Sequence, residues 1–233
     1  MKSQEIPDPR EIETQAWFVA SRWSAYRGEE RVNLIRLVAI AAFFLMHLAH
    51  YYELNDRLGL GDEQFGLPAN QAVEFHQIVS MIALAWMCLV MAVRTCLNGK
   101  FFPPILPYLV TSFDALLLSM LLYATRGPSS ALTSGYFLII AMAVLRFKLS
   151  LVWCSTLACI LGYSGLFMTP WIGSPVLKFQ AFPIYQRALF ITAMAVMGVI
   201  EGQIIRQARA MANDYKYFLQ LKLNSEKDQA SVS

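Results

Sequence analysis

VNLIRLVAIAAFFLMHLAHYY, residues Val32 to Tyr52, decides the class of fold. Only Arg36 in this run carries a fixed charge. A helix rises 1.5 Å per residue, so about 20 consecutive apolar residues cross the hydrocarbon core of a bilayer. Working outward, five further apolar runs follow at Ala72–Val93, Ile105–Thr125, Ser130–Leu145, Leu149–Pro170 and Arg187–Ile200. The third opens behind a proline-rich segment, FFPPILP, and only Arg146, Phe147 and Lys148 separate the fourth from the fifth, which demands a tight hairpin. Over the whole chain of 233 residues, 57% are apolar and 15% charged, against about 45–50% and about 25% in soluble domains. The mean hydropathy is +0.45. These proportions exclude a soluble enzyme, a disordered tail and a nucleic-acid-binding domain. The sequence predicts an all-α polytopic membrane protein with six transmembrane helices.

The basic residues set the direction of the spans. With the sides numbered alternately from the N-terminus, 14 of the 19 Lys and Arg residues fall on the N-terminal side, four (Arg57, Arg126, Lys178 and Arg187) on the other, and Arg36 inside the first span. By the positive-inside rule both termini are cytoplasmic. An even number of spans agrees with that assignment. No short apolar core follows Met1, so no signal peptide is expected.

Four segments follow. Residues 1–31 form a cytoplasmic N-terminal segment in which Glu11–Arg31 makes an interfacial amphipathic helix; Ile12, Ala16, Val19 and Trp23 recur at helical spacing. Residues 32–200 hold the six-helix domain. In residues 201–223 the sixth helix continues without Gly or Pro after Gln203, and Ile204, Ala208, Met211, Tyr215 and Phe218 repeat at spacings of 4, 3, 4 and 3. That is the seam of a short coiled-coil stalk, or the apolar face of a helix lying on anionic lipid. Residues 224–233 read as a disordered tail. The four cysteines, Cys88, Cys96, Cys154 and Cys159, read as small apolar residues in or beside the spans.

Ionisable groups at membrane depth are costly and each needs a reason. All three histidines fall toward one side: His47 and His50 near the outer end of the first span, His76 near the outer start of the second. Glu53 extends the His47–His50 face and Glu74 lies two residues before His76. The cluster reads as hydrogen-bonded interfacial histidines, as a haem or transition-metal site built on imidazole nitrogens, or as a pH- or quinone-sensing group. Asp114, mid-way through the third span, reads as a buried polar clamp bonded to a Ser, Thr, Tyr or Trp, or as a proton- or ligand-binding carboxylate. Arg36 either snorkels to the inner headgroups or pairs with Glu201 near the cytoplasmic end of the sixth span, where the bundle meets the stalk. Gly198 and Gly202 offer a close-approach face to a neighbouring helix or a second subunit. Asn55–Gln71 reads as a ligand lid or a solvated loop, and Trp171–Gln186 as a segment at the outer interface. No nucleophile stands beside a base, so no enzymatic constellation is present in the sequence.

The stretch GPSSALTSGYFLIIAMAVLRFKLSLVW, Gly127–Trp153, resembles part of the six-transmembrane sensor or anchor modules of bacterial signalling proteins. Gly127, Pro128, Ser129 and Ser130 match a small-residue turn; Gly135, Tyr136 and Phe137 an aromatic-led helix; Arg146 and Phe147 an arginine-containing hairpin. Asp114 and the exit GQIIRQARAMANDY, Gly202–Tyr215, match as well. Such modules precede histidine kinase, adenylate cyclase or diguanylate cyclase domains, whereas no output domain follows here. The resemblance implies a bacterial inner-membrane protein, multi-pass in the lipid bilayer. It would relay a signal from the outer face through helix six, as a homodimer or to a cytosolic signalling partner. The rival expectations are a haem- or metal-binding membrane redox protein using the outer histidines, and a small transporter using Asp114.

Overall fold

The computed structural model describes residues 9–52, 69–99, 103–124, 130–167 and 183–232. Among them every regular element is helical. Six α-helices follow in order: α1 (Pro9–Tyr51), α2 (Ala69–Asn98), α3 (Leu106–Ala124), α4 (Gly135–Val144), α5 (Leu149–Gly165) and α6 (Ile184–Val232). A 3₁₀ turn, Ala131–Ser134, leads into α4. Its geometry is set by Ser130, whose side chain accepts from Leu132 N and whose carbonyl accepts from the Thr133 hydroxyl.

Four of the helices are long and apolar enough to cross a membrane: α1 over Tyr26–Ala49, α2 over Phe75–Asn98, α3 throughout, and α6 over Ile184–Tyr215. Only 17–39% of the most apolar stretch of each is buried inside the protein. The remainder points outward with Leu34, Val38, Met46, Met81, Leu84, Leu189 and their like. Water does not tolerate so continuous an apolar exterior, whereas lipid matches it. The expected fourth and fifth spans are α4 and α5, with 10 and 17 residues. At 1.5 Å per residue they reach about 15 and about 26 Å, short of the roughly 30 Å core. By length and composition, four of the six expected spans are thus candidates for crossing a membrane.

Two expected boundaries are absent. The segment read as an interfacial helix, Glu11–Arg31, is continuous with the first span in one helix of 43 residues. Its C-terminal part packs against the rest of the protein: Gly28, Glu29, Val32, Asn33 and Arg36, spaced on one helical face, are all buried. A Cβ on Gly28 would lie 2.9 Å from the Leu145 carbonyl, so glycine lets α1 approach the α4–α5 turn. At the other end, α6 runs as one helix of 49 residues through the stalk and on through residues 224–232, which were expected to be disordered.

The helices pack as two groups. α1 lies against α2 and α2 against α3; α4 lies against α5 and α6, and α5 against α6. The seam between the groups is α3 on α5, supported by α3 on α4. Along it Ala115, Leu118, Leu122, Tyr136, Ile140, Cys159 and Tyr163 form the core. Gly162 permits the closest approach: a side chain there would run into the Ser119 hydroxyl and the Tyr136 ring, which themselves share a 2.7 Å hydrogen bond. Gly198 and Gly202 act similarly on α6, but toward α5 of the same chain, against Thr156 and Leu149. The tight hairpin between α4 and α5 turns on Phe147, whose φ of 51° lies in the left-handed region. Arg209 on α6 donates from Nη2 to the Phe147 carbonyl at 2.8 Å.

Candidate functional site

A cavity of about 110 Å³ opens between α1, α2, α3 and α4. Its α1 wall is Arg36, Ala39, Ile40, Phe43, Phe44 and His47; its α2 wall is Phe75, Val79, Ile82, Ala83 and Trp86. Both walls use positions related by 3, 4, 7 or 8 residues, some of them neighbours in sequence, across the same total of 11, which is one continuous helical stripe on each of two adjacent helices. Arg36 and His47 therefore share a face of α1 and stand about 16 Å apart along the axis. Leu118 and Leu121 of α3, and Leu138, Ile139 and Met142 of α4, complete an apolar lining with polar groups at the two ends.

The buried end is an ion pair. Arg36 Nε donates to Asp114 Oδ1 and Oδ2 at 2.9 and 3.0 Å, and Nη2 donates to Oδ2 at 2.8 Å. Each side chain is 2% exposed. Trp86 Nε1 donates to Oδ1 at 2.8 Å. Arg36 Nη1 donates to Asn33 Oδ1 at 2.9 Å, and Asn33 Nδ2 donates onward to the Val90 carbonyl at 3.2 Å. Three helices thus meet at one charged node. Its forked, two-point geometry is what allows a charge pair to exist without water, because the carboxylate replaces the hydration that burial removes.

This arrangement corrects the expected partner of Arg36. The guanidinium is committed to Asp114 on α3, and Glu201 lies on α6, buried, with Oε2 unpartnered among the described residues. The depth argument failed because α1 does not begin at Val32. Measured from Gly28, where α1 meets the bundle, Arg36 is eight residues in, and Asp114 is eight residues from the start of α3 at Leu106. The two charges share a level. Asp114 is the clamp that one reading anticipated, with Trp86 as its indole partner. Its charge is compensated by the Arg36 guanidinium.

A second buried pair was not anticipated. Arg146 Nη2 donates to Glu29 Oε1 at 2.7 Å, and Nη1 donates to Thr111 Oγ1 at 2.6 Å, joining α1, α3 and the α4–α5 turn. The sequence offered Arg146 as an orienting charge in a tight hairpin, and Glu29 only as part of the segment Glu11–Arg31. Their opposite signs were visible, but nothing local announced that residues 117 positions apart would meet.

At the other end of the cavity His47 Nε2 and His76 Nδ1 lie 3.0 Å apart, with rings stacked at 15° and centroids 5.2 Å apart. Phe75 stands edge-on to His47 at 5.6 Å. The bond requires one ring nitrogen to donate and the other to accept. It is closer than the about 4 Å that a metal centred between two trans imidazoles would set. Two of the three expected histidines are therefore brought together. The side chains of His50 and Glu74 and all of Glu53 lie outside the described residues, as do residues 55–68 of the expected lid and 171–182 of the expected outer interface. Among the described residues no three metal-binding side chains converge.

Among the described residues four of the five seam positions stay uncovered, and Ala208 is half-buried. Ile204, Met211, Tyr215 and Phe218 are 49%, 71%, 66% and 64% exposed, while Ile205, one position round, is fully buried against Ala143, Leu151 and Val152. One face of α6 is seated on the bundle, and the adjoining face carries an apolar stripe outward. No family model, curated protein or solved structure matches the chain.

Proposed function

We propose that this chain is a membrane-embedded sensor or anchor module. It crosses a bacterial inner membrane six times with both termini in the cytoplasm. The cavity between α1 and α4 receives the signal, and α6 carries it to a stalk that pairs with a second copy or a cytosolic signalling partner. The observation that carries this reading is α6 itself. It is one uninterrupted helix, seated on α5 through Gly198 and Gly202, tied at its exit to the α4–α5 turn through Arg209, and among the described residues exposed at Ile204, Met211, Tyr215 and Phe218. A rigid rod held by the bundle at one end and unpartnered at the other transmits a rotation or shift rather than absorbing it. The cavity touches α4, α4 touches α6, and so a change of packing at the cavity has a direct mechanical route to the rod.

Disulfide trapping in membranes tests the stalk. In a cysteine-free full chain, Met211→Cys and Phe218→Cys should each cross-link to a second copy, whereas Arg209→Cys, off the seam, should not. Equal trapping at all three positions, or at none, removes the paired stalk.

A further inference from the structure

From the chemistry of the cavity alone we infer that it binds an uncharged single-chain lipid whose head is a hydrogen-bond acceptor, such as an ester or ketone carbonyl or a hydroxyl. The inference deepens the reading of the cavity as the receiving site, and it names what is received.

The shape comes first. Two helical stripes about 16 Å long, apolar between Arg36 and His47 at the ends of the first and lined by Ala39 and Ala83, make a slot rather than a bowl. At about 110 Å³ the slot takes the head and first carbons of an extended chain, with the rest of the chain left in the surrounding lipid. The outer surface of α1 and α2 is apolar too, so such a ligand enters from lipid without crossing water.

The head group follows from the charges. Among the described residues Arg36 uses Nε, one N–H of Nη1 and one N–H of Nη2. That leaves a second N–H on each terminal nitrogen, on a guanidinium that lines the cavity and is 2% exposed. Donors on a buried cation that lack an acceptor are expensive, and an oxygen at the inner end of the slot satisfies them. That oxygen has to be neutral. Arg36 and Asp114 already cancel, and the Trp86 N–H is spent on Asp114. A carboxylate or phosphate would therefore bring an unpaired negative charge up to Asp114 at membrane depth, where an uncompensated charge is costly. A cationic head would meet the guanidinium with no free carboxylate to answer it.

The test uses the full chain purified in detergent and stripped of bound lipid. Binding of radiolabelled methyl tetradecanoate is compared with that of tetradecanoate at alkaline pH, so that the probes differ by one charge. The ester should bind at one per chain and about a hundredfold more tightly than the acid. Ala83→Phe or Ala39→Phe, which fill the slot from opposite walls without touching the ion pair, should each lower ester affinity about tenfold while leaving the thermal unfolding midpoint in place. Equal or stronger binding of the acid overturns the inference on the unaltered chain alone. So does affinity that survives both fillings, or displacement of the ester by an equal amount of bilayer phospholipid, which would make the slot an ordinary lipid contact. The proposed relay fails separately: an ester that binds as expected while stalk cross-linking is absent leaves the ligand standing and removes the signal path.

Discussion

At the scale of single residues, charge pairing organises the interior. Arg36 and Asp114 come from runs 78 positions apart, and each would be costly alone at that depth. Truncating one partner of a buried pair leaves the other charge uncompensated, typically about 3–5 kcal/mol, while replacing both with apolar residues of similar size is often neutral. Asp114→Ala should therefore destabilise the purified protein by about 3–5 kcal/mol in a denaturation series, and Arg36→Met combined with Asp114→Leu should recover most of the loss. A single Asp114→Ala variant as stable as the parent would show that the pair is not what holds α1 on α3. Asp114 was legible in the sequence as a residue that needed a partner. Which partner was not, because that depends on where α1 begins, and a polar flank of Arg, Glu and Gly looks like the end of a span until its buried face is seen.

At the scale of elements, glycines decide which helices touch. Gly162 seats α5 on α3, and Gly198 seats α6 on α5, each where a side chain would strike a hydroxyl-bearing neighbour. Gly165 has nothing near the place where a Cβ would stand. Gly198→Leu should cost about 1–3 kcal/mol through forced separation of α6 from α5, whereas Gly165→Ala should leave the unfolding midpoint within experimental scatter; equal effects would mean that close packing is not the constraint. The sequence marked Gly198 and Gly202 as a close-approach face but left open what approaches, and the answer is a helix of the same chain. The stalk seam, one face further round, was legible as a repeat because a period of 3.5 is a property of the chain alone.

At the scale of the whole molecule, the sorting of apolar surface marks a body made for lipid. Four helices are long enough to span it, and α4 and α5 are the two whose length leaves the matter to experiment. The bias of basic residues predicts the outcome of reporter fusions. Fusions after residues 99 and 147 should be active on the cytoplasmic side, and those after residues 127 and 176 on the opposite side. If 127, 147 and 176 all report the same side, neither α4 nor α5 crosses, and the four-crossing arrangement replaces the six-crossing one.

The sequence by itself determined the helical class, the apolar runs, the bias of their flanking charges and the stripe beyond the last run, because hydropathy, period and charge count are local or additive quantities. Tertiary structure alone decided that Arg36 answers Asp114, that Glu29 answers Arg146, that His47 meets His76, and that a slot lies between two matched stripes on α1 and α2. Pairing and cavities are properties of what faces what. Helix register and tilt set that, and neither is written in any one segment.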